Sequence, residues 1–352
     1  MKVIHFPTST GGMSWELAQG EKKLGLDSTV FYKNSNWLEY SCDIALGWCG
    51  NKFLYEFRKA RTAYEFSKKY DVFHMNFGNS LIDFPKWHLD YLDLMLYKNK
   101  KICVTYNGCD ARQKYKRIKQ TKISACHYDN CYDGICMNMR QDKIKARRIK
   151  KLYGRKVTMF AVNPDLLNFL PDEAVFLPYP IDESNVVRKG KYQINDRIKI
   201  IHAPTQRVAK GTEDVLKTVE QINQLYPNTI ELALIEKVNH REAMKLYREA
   251  DLVIDQVRIG WYGGLAMETM CMGIPTIAYI NEDDLHFIPQ EMAKDCLETV
   301  INASGDTLFS VLENIIHNPQ ILYQRHEASM EYVHKWHRAE YVASITKKYY
   351  ES

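Results

Sequence analysis

The feature that most constrains the fold is an alternation of short β-branched and aromatic runs with longer stretches of helical pattern. In the first half of the chain, runs at residues 3–7, 28–32, 72–77, 101–106, 158–162 and 174–177 predict strands. A helix between successive strands favours parallel pairing, because the chain must cross over the sheet before it pairs again. The first half therefore predicts an α/β unit with a parallel sheet.

The alternation restarts after residues 181–195, where Pro, Gly and charged residues predict a linker. A chain of 352 residues fits two domains at a prior of about 150 residues each. We expect a first α/β domain over residues 1–180 and a second over 196–327. Residues 328–352 place Tyr332, Val333 and Trp336 at helical spacings and predict a closing helix.

The charge is uneven along the chain. Residues 111–156, called here the basic segment, carry fifteen Lys and Arg against three Asp, a local balance of +12 in a chain of net charge +5. Such a segment is expected to bind an anionic membrane surface, the alternative being a solvated helix face. No nucleic-acid motif accompanies it, so nucleic acid is not an expected partner.

No apolar run reaches the roughly 20 residues that a membrane helix needs, and no signal peptide is predicted at the start. The nine cysteines are an odd number spread along the chain, which favours reduced thiols. The sequence therefore predicts a cytoplasmic protein, placed at the inner face of the membrane if the basic segment binds lipid.

The most informative stretch is residues 251–280, which reads as strand, glycine loop, helix and strand. Gly263 and Gly264 allow close approach of a ligand at a helix start, where backbone amides and the positive dipole end favour phosphate. Glu268 follows about one turn later, where its carboxylate oxygens match the hydroxyls of a ribose. The segment predicts a nucleotide site; the alternative is close helix packing with Glu268 as a surface residue.

A second segment, residues 200–212, places Arg207 and Lys210 just after a strand. Together the two segments resemble the retaining glycosyltransferases of the GT-B fold, which hold a nucleotide sugar with a comparable glycine loop, helix and Glu-x-Met sequence. The resemblance implies two Rossmann-like domains facing a central cleft, with a C-terminal helix that crosses back to the first domain. It also implies donor binding by the following residues: Gly11, Gly12, Arg207, Lys210, Gly263, Gly264, Leu265 and Glu268.

In this interpretation Arg207 and Lys210 neutralise the diphosphate as the glycosidic bond breaks, so they count as catalytic as well as donor-binding. Otherwise they are solvated loop charges. Asn107 and Asp110 also count as catalytic candidates, because residues 105–112 resemble a family segment with His-Gly and a nearby Asp. Asp110 would orient the acceptor or cap the following helix.

Two residues depart from the family pattern. Gly260 stands where the family commonly has the first of two glutamates, which leaves Trp261, Tyr262 or backbone amides to contact the donor sugar. Asn107 stands where a histidine is expected, and an amide cannot act as a general acid or base.

Cys126, Cys131 and Cys136, with Cys109 and His127 nearby, form the other cluster of reactive residue types. Three thiols and an imidazole would complete a tetrahedral zinc shell, although the spacings differ from those of ordinary zinc knuckles. Reduced structural cysteines and a disulfide are the alternatives.

These observations predict a retaining glycosyltransferase that moves a sugar from a nucleotide diphosphate sugar to a sugar or lipid-linked acceptor hydroxyl, in surface polysaccharide or glycolipid synthesis. No cofactor is expected for the transfer itself. The alternatives are a nucleotide-sugar epimerase on the same fold and a non-catalytic nucleotide-sugar-binding protein.

Overall fold

A computed structural model describes residues 1–34, 38–190, 192–194 and 196–352. The chain divides into two compact units. Unit 1 comprises Met1–Gln113, Asp142–Asp182 and Arg338–Ser352, and unit 2 comprises Lys114–Gln141 and Glu183–His337. The predicted linker at 181–195 includes Lys191 and Asn195, which lie outside the described residues.

Strands alternate with helices over much of the described chain. The strands are β1 Lys2–Phe6, β2 Asp27–Tyr32, β3 Ile44–Ala45, β4 Val72–Asn76, β5 Lys101–Tyr106, β6 Thr158–Ala161, β7 Val175–Phe176, β8 Ile198–His202, β9 Ile230–Leu234, β10 Leu252–Gly260, β11 Thr276–Ile280 and β12 Ile301–Asn302. The helices are α1 Met13–Lys23, α2 Lys52–Lys69, α3 Lys114–Gln120, α4 Arg140–Tyr153, α5 Arg207–Lys210, α6 Thr212–Leu225, α7 His240–Tyr247, α8 Gly264–Cys271, α9 Gln290–Thr299, α10 Leu308–His317, α11 Gln320–Trp336 and α12 Ala339–Glu351.

Unit 1 is built on a seven-stranded sheet in the order β3-β2-β1-β4-β5-β6-β7, and every pairing is parallel. The central strand β4 is buried along its whole length, as expected for a parallel sheet covered by helices on both faces. Helix α12 packs closely on α1, because a Cβ at Gly20 would lie 2.2 Å from the carbonyl oxygen of Ala339. The residues that the sequence predicted as strands in this half therefore form one sheet, with the short strand β3 added at its edge.

A network of buried hydrogen bonds links α1 and α12 to the sheet of unit 1. Glu21 accepts hydrogen bonds from the hydroxyl of Tyr350 at 2.8 Å and lies 2.8 Å from Nε2 of His5. His74 lies 2.5 Å from the Tyr350 hydroxyl through Nδ1 and 2.7 Å from the hydroxyl of Thr105 through Nε2. One proton order satisfies the chain: Thr105 donates to His74, His74 to Tyr350, and Tyr350 to Glu21.

The pKa values in this network follow from burial and from the hydrogen bonds. Burial alone would raise the pKa of Glu21, but His5 and the hydroxyls of Ser28 and Tyr350 lower it overall, so the carboxylate is charged. Burial lowers the pKa of His74 well below its usual value, so this imidazole is neutral. A neutral histidine and a charged glutamate are the protonation states that the proton order requires.

We expect Tyr350→Phe to lower the free energy of unfolding by about 1–3 kcal/mol, because it leaves a buried Nδ1–H of His74 without its partner and leaves Oε1 of Glu21 with only the longer hydrogen bond from Thr346, at 3.3 Å. Urea denaturation followed by circular dichroism measures the change. Tyr349→Phe, one residue earlier on the same helix, is the matched control and is expected to change stability by less than about 0.5 kcal/mol. Equal effects of the two variants would contradict the network's structural role.

Unit 2 is built on a five-stranded parallel sheet in the order β12-β11-β10-β8-β9. Apolar side chains of β8, β10, α6 and α10 form its main core, with Ile200, Ile254 and Val215 fully buried. Strand β10 extends to Gly260, so the glycine loop between it and α8 is only three residues long.

Residues 114–141 group with unit 2, although they precede the last two strands of unit 1 in the sequence. The two short 3-10 helices that follow α3, at Ala125–His127 and Cys131–Gly134, pack against α5. Arg117 of α3 forms a buried ion pair with Asp284, at 2.7 Å between Nη2 and Oδ2. This excursion differs from the single continuous first domain, residues 1–180, that the sequence predicted.

The predicted closing helix at 328–352 is two helices. Helix α11 ends at Trp336 and α12 begins at Ala339, because Arg338 has an extended ψ of 129° and Ala339 donates its N–H to the carbonyl of Ile181 at 2.9 Å. The two helices belong to different units, with Arg338 as the first residue of the part in unit 1. The apolar residues that were predicted to lie on one closing helix therefore belong to two different units.

Several cations of the basic segment form ion pairs within the protein. Five of its cations form ion pairs with carboxylates: Arg112 with Asp165, Lys114 with Asp129, Arg117 with Asp284, Arg147 with Asp90, and Arg148 with Asp83 and Asp90. The formal balance of +12 therefore overstates the charge that this segment offers to a ligand. Among the described residues, no helix combines the length and the hydrophobicity needed to cross a membrane.

Candidate functional site

The predicted phosphate site lies at the start of α8 in unit 2. Helix α8 follows the end of β10 after a three-residue loop, and Gly263 is its N-cap residue. The first amides of a helix have no partner within the helix, so the start of α8 offers donors to an anion. The side chain of Leu265 is 9% exposed and packs in a core cluster with Ile201 and Val253, so only its backbone can serve a ligand.

Asp255 joins the two segments that the sequence singled out. This fully buried carboxylate accepts a hydrogen bond from Lys210 Nζ at 2.5 Å through Oδ1 and from the Gly263 N–H at 2.6 Å through Oδ2. The side chain of Lys210 is 15% exposed. The ammonium group is thus held at the mouth of the glycine loop by a counter-charge that the sequence analysis did not identify.

The two glycines of the loop have different surroundings. A Cβ at Gly263 would lie 3.2 Å from Lys210 Nζ and 3.4 Å from Asp255 Oδ2, so a side chain there would press on the ion pair. A Cβ at Gly264 would meet no atom within 4 Å. Gly263 therefore leaves room for protein atoms, whereas Gly264 faces open space at the helix start.

Glu268 lies one turn into α8 and contacts the first residue of α7. Its Oε1 lies 2.7 Å from Nε2 of His240, and the side chains are 18% and 31% exposed, respectively. Asn239 caps α7 by accepting the N–H of Glu242, which fixes the position from which His240 projects. Among the described residues, Oε2 of Glu268 has no hydrogen-bond partner, so one carboxylate oxygen is available to a ligand.

Arg207, the first residue of α5, is held by two acidic side chains. It donates through Nη2 to Glu213 at 2.8 Å and through Nη1 to Glu236 at 2.9 Å, with its side chain 40% exposed. Ion pairs at this exposure contribute about 0–1 kcal/mol, so an anionic ligand can replace them at small cost. The structure thus brings the predicted cations near carboxylates: Lys210 in a buried pair and Arg207 in an exchangeable one.

His202, at the end of β8, holds the strands and helices around this site together. Its Nδ1 donates to the carbonyl of Ile254 at 2.7 Å, and its Nε2 accepts from the hydroxyl of Thr212, the first residue of α6, at 2.9 Å. Burial lowers the pKa of His202 to about 4, so the imidazole is neutral at physiological pH. The residue serves as a core link between β8, β10 and α6.

Gly260 is enclosed by protein atoms, whereas a residue that contacts the donor sugar would face open space. Gly260 has a φ of +96°, and a Cβ there would lie 3.0 Å from Cβ of Asn281 and 3.3 Å from Nη2 of Arg117. Trp261 and Tyr262 are 1% and 0% exposed, so their side chains are not available to a donor sugar in this structure, and of the three predicted alternatives the backbone amides remain. Tyr262 is buried because it packs against α11. Its hydroxyl group hydrogen-bonds to a buried side chain of that helix and to another buried side chain just after the helix ends.

Asn107 and Asp110 lie in the turn after β5 of unit 1. The carboxylate of Asp110 accepts the backbone N–H groups of Asn107 and Gly108, the latter at 2.7 Å. It therefore closes the preceding turn and does not cap the helix that follows. Burial raises the pKa of Asp110 to about 6, against the opposing effect of these N–H donors. Asn107 donates to Asn76 at 2.9 Å, and its buried Oδ1 has no hydrogen-bond partner among the described residues.

Gly11 and Gly12 form the turn between β1 and α1 in unit 1. Both have positive φ values, 62° and 67°. A Cβ at Gly12 would lie 2.9 Å from Cδ1 of Tyr40, so the turn leaves no room for a side chain. This local packing accounts for Gly12, and the donor-binding role of both glycines stays a prediction.

The predicted zinc ligands Cys126, Cys131 and Cys136 all lie in the excursion of unit 2 and are partly buried. His127 directs Nε2 to the carbonyl of Thr121 at 2.9 Å. Among the described residues, the group of three metal-ligand side chains with atoms within 4.8 Å of one another is His5, Glu21 and His74, whose polar atoms already serve the network of unit 1. The zinc site stays a prediction.

Sequence reasoning missed Asp255, His240 and Arg117. Asp255 carried a signal, because it interrupts the apolar run of a strand that is buried on both sides. His240 could have been suspected from the Asn239 cap at the start of α7. Arg117 carried no local signal, because its role depends on the excursion that places α3 in unit 2.

The fold is similar, over nearly the whole chain, to those of three solved enzymes. A sucrose-phosphate synthase from Thermosynechococcus elongatus matches with a TM-score of 0.64 and 14% identity, over 100% of this chain and 98% of that chain. WaaG, a glycosyltransferase of lipopolysaccharide biosynthesis, matches with a TM-score of 0.59 and 12% identity, over 98% and 99%. A UDP-GlcNAc 2-epimerase from Neisseria meningitidis, solved with UDP-GlcNAc, matches with a TM-score of 0.52 and 12% identity, over 99% of both chains.

No family model matches the sequence, and no curated protein matches it. The structural matches show the GT-B fold and confirm the fold class predicted from the two motifs in unit 2. Both the glycosyltransferase and the epimerase that share it are similar over nearly the whole chain.

We expect the protein to lose stability as the pH falls from about 6.5 towards 4, because unfolded His202 binds a proton in this range and folded His202 does not. The stabilisation is complete above pH 6.5 and declines as the pH falls; this histidine accounts for at most about 3 kcal/mol. Urea titrations across this range measure the slope. His202→Gln is expected to flatten it, and an unchanged slope in that variant would contradict the assignment.

Proposed function

We propose that this protein is a retaining glycosyltransferase that moves a sugar from a nucleotide diphosphate sugar to an acceptor hydroxyl. The observation that carries the proposal is the assembly of Lys210, Asp255 and Gly263 at the start of α8, with Glu268 one turn further along. A cation, helix amides and a carboxylate at that spacing offer binding groups for a diphosphate and its ribose.

The electrostatics suit a departing diphosphate. When the glycosidic bond breaks, negative charge grows on the leaving phosphate, and fixed positive groups stabilise that charge most. Asp255 holds Lys210 in place, so the ammonium needs no reorganisation when the donor binds. Arg207 would exchange Glu213 and Glu236 for phosphate oxygens and so bring a second positive charge to the diphosphate.

The contact between Glu268 and His240 would orient the carboxylate for the ribose. The hydrogen bond with His240 holds Oε1 in place, which would leave Oε2 to accept from the ribose hydroxyls. In this proposal the nucleoside lies near the loop between β9 and α7, where backbone groups of residues 235–239 would contact the base. No side chain of that loop identifies the base.

Retention is proposed to proceed by attack on the same face of the sugar, with the departing phosphate taking the proton from the acceptor hydroxyl. Such a step needs electrostatic stabilisation more than a protein base, which agrees with an asparagine at position 107. The buried Oδ1 of Asn107 would accept a hydrogen bond from a substrate hydroxyl, and Asp110 would hold the turn that presents it. The acceptor is proposed to be a sugar or lipid-linked glycan in surface polysaccharide or glycolipid synthesis, since WaaG acts in lipopolysaccharide biosynthesis.

Lys210→Ala and Glu268→Ala are each expected to weaken binding of a nucleoside diphosphate by about 10- to 100-fold, the cost of losing a charge-assisted hydrogen bond. Isothermal titration calorimetry with the uridine, guanosine, thymidine, cytidine and adenosine diphosphates measures the affinities.

Lys217→Ala, at an exposed position on α6, is the matched control for lost positive charge. Because Lys210→Ala leaves Asp255 buried without its cation, the double variant Lys210→Met/Asp255→Asn separates lost binding from lost folding. Affinity that survives in both single variants refutes the site.

The two glycines give a second test. Gly264→Ala is expected to leave the thermal unfolding midpoint unchanged while weakening nucleotide binding at least about tenfold, because the added methyl enters the space a phosphate would fill. Gly263→Ala is expected to lower both, since its methyl would press on Lys210. Differential scanning fluorimetry and the same titration read the two properties. Full affinity in Gly264→Ala would mean that no ligand approaches this helix start.

An epimerase is the second candidate, because UDP-GlcNAc 2-epimerases share the fold over nearly the whole chain. An epimerase changes the sugar without an acceptor. Product analysis with a panel of nucleotide sugars, with and without acceptor glycans, distinguishes transfer from epimer formation. Tight binding with neither product would identify a binding protein.

A further inference from the structure

Helix α2 of unit 1 is apolar on two opposite sides. Its inner side is buried through Tyr55, Ala63 and Phe66, which contact the core. On the outer side Phe53 is 89% exposed and Phe57 is 65% exposed. A surface helix with one packed side normally presents polar residues to water. The outer side of α2 therefore carries large apolar groups that no described residue of unit 1 covers.

The exposed aromatic residues of α2 share one face with two cations. Positions 53, 57, 61, 64 and 68 follow the spacing of one helix face, opposite the buried residues. Tyr64 is 52% exposed, and the Lys68 ammonium lies 4.1 Å from the centre of its ring. We call Phe53, Phe57, Arg61, Tyr64 and Lys68 the outer face of α2.

The charge of α2 is strongly positive. The helix contains six Lys and Arg and two Glu, which is a formal charge of +4 over eighteen residues. The two acids are engaged with cations: Glu56 pairs with Lys59 at 2.6 Å, and Glu65 pairs with Arg61 at 2.8 Å. The outer face itself holds no acidic residue.

The loop before α2 extends this surface. Trp48 is 61% exposed, and its ring centre lies 5.2 Å from that of Tyr55 on the first turn of the helix. Indole and phenol rings are favoured at the boundary between lipid and water, where an apolar ring meets polar headgroups. The aromatic side chains therefore extend beyond the helix.

We propose that the outer face of α2 and Trp48 form a peripheral docking surface for a bilayer that contains anionic lipids. The aromatic side chains enter the headgroup region, and Arg61 and Lys68 lie against lipid phosphates. The helix keeps a formal charge of +4 with Glu65 paired to Arg61 included in the sum, and this net positive charge matches a negatively charged surface. In a symmetric contact between two copies, the same cations would face each other and repel.

The basic segment also exposes apolar side chains, among them Ile135 and Met139, but several of its cations are paired within the protein. Arg112, Arg147 and Arg148 of that segment are held by carboxylates within the protein. The outer face of α2 combines exposed cations with apolar groups that can leave water. The proposal places the membrane contact on α2, and variants of its outer face distinguish this contact from one made by residues 111–156.

Vesicle flotation tests the proposal with the full chain. We expect binding to vesicles of phosphatidylcholine mixed with phosphatidylglycerol, little binding to phosphatidylcholine alone, and release at high salt. Phe53→Ser/Phe57→Ser and Arg61→Glu/Lys68→Glu should each reduce partitioning by at least about tenfold. Leu225→Ser, which removes a 62% exposed leucine at the end of α6, is the control and should bind like the unaltered protein.

Three results would overturn the proposal: no flotation of the unaltered protein at low salt, flotation of both double variants equal to that of the unaltered protein, or a dimer in light scattering that the same variants dissociate. The last result would assign the face to a second copy. Thermal melting confirms that the surface variants fold. Nucleoside diphosphate titration without lipid reads the proposed transferase site separately, so failure of one proposal is distinguishable from failure of the other.

Discussion

The candidate site depends on the two hydrogen bonds that pair the buried carboxylate of Asp255. A carboxylate excluded from water must be paired, and here Lys210 and the N–H of Gly263 supply both partners. The requirement links two segments that are far apart in the sequence, the loop after β8 and the start of α8. It also explains why position 263 has no side chain. Chemistry at the helix start is thus a consequence of how one buried charge is satisfied.

The same principle organises unit 1 without creating a ligand site. Glu21 is as deeply buried as Asp255, but its partners are hydroxyl groups and imidazoles from β1, β2 and α12. The polar atoms of that network are hydrogen-bonded to one another. A metal would have to displace hydrogen bonds that already meet the cost of burial. Three potential ligands within 4.8 Å are therefore a structural link between α12 and the sheet.

The sequence predicted those elements that depend on local pattern. Both sheets, the glycine loop and the cations of α5 follow from apolar runs, glycine placement and charge, which act within a few residues. The prediction failed where distant segments decide the outcome. Arg117 reaches Gly260 only because residues 114–141 leave unit 1, and Trp261 and Tyr262 are buried by neighbours that no nearby residue reveals. The break at Arg338 depends likewise on a hydrogen bond to Ile181.

Charge counted along a sequence is a poor measure of charge presented to a partner. Residues 111–156 have the larger formal charge, but several of their cations satisfy buried or half-buried carboxylates and are held within the protein. Helix α2 has fewer cations, yet Arg61 and Lys68 lie on a face that also exposes Phe53 and Phe57. Attraction to a membrane needs exposed charge, and retention there needs apolar surface that gains by leaving water. Only a structure reveals that both occur together on α2.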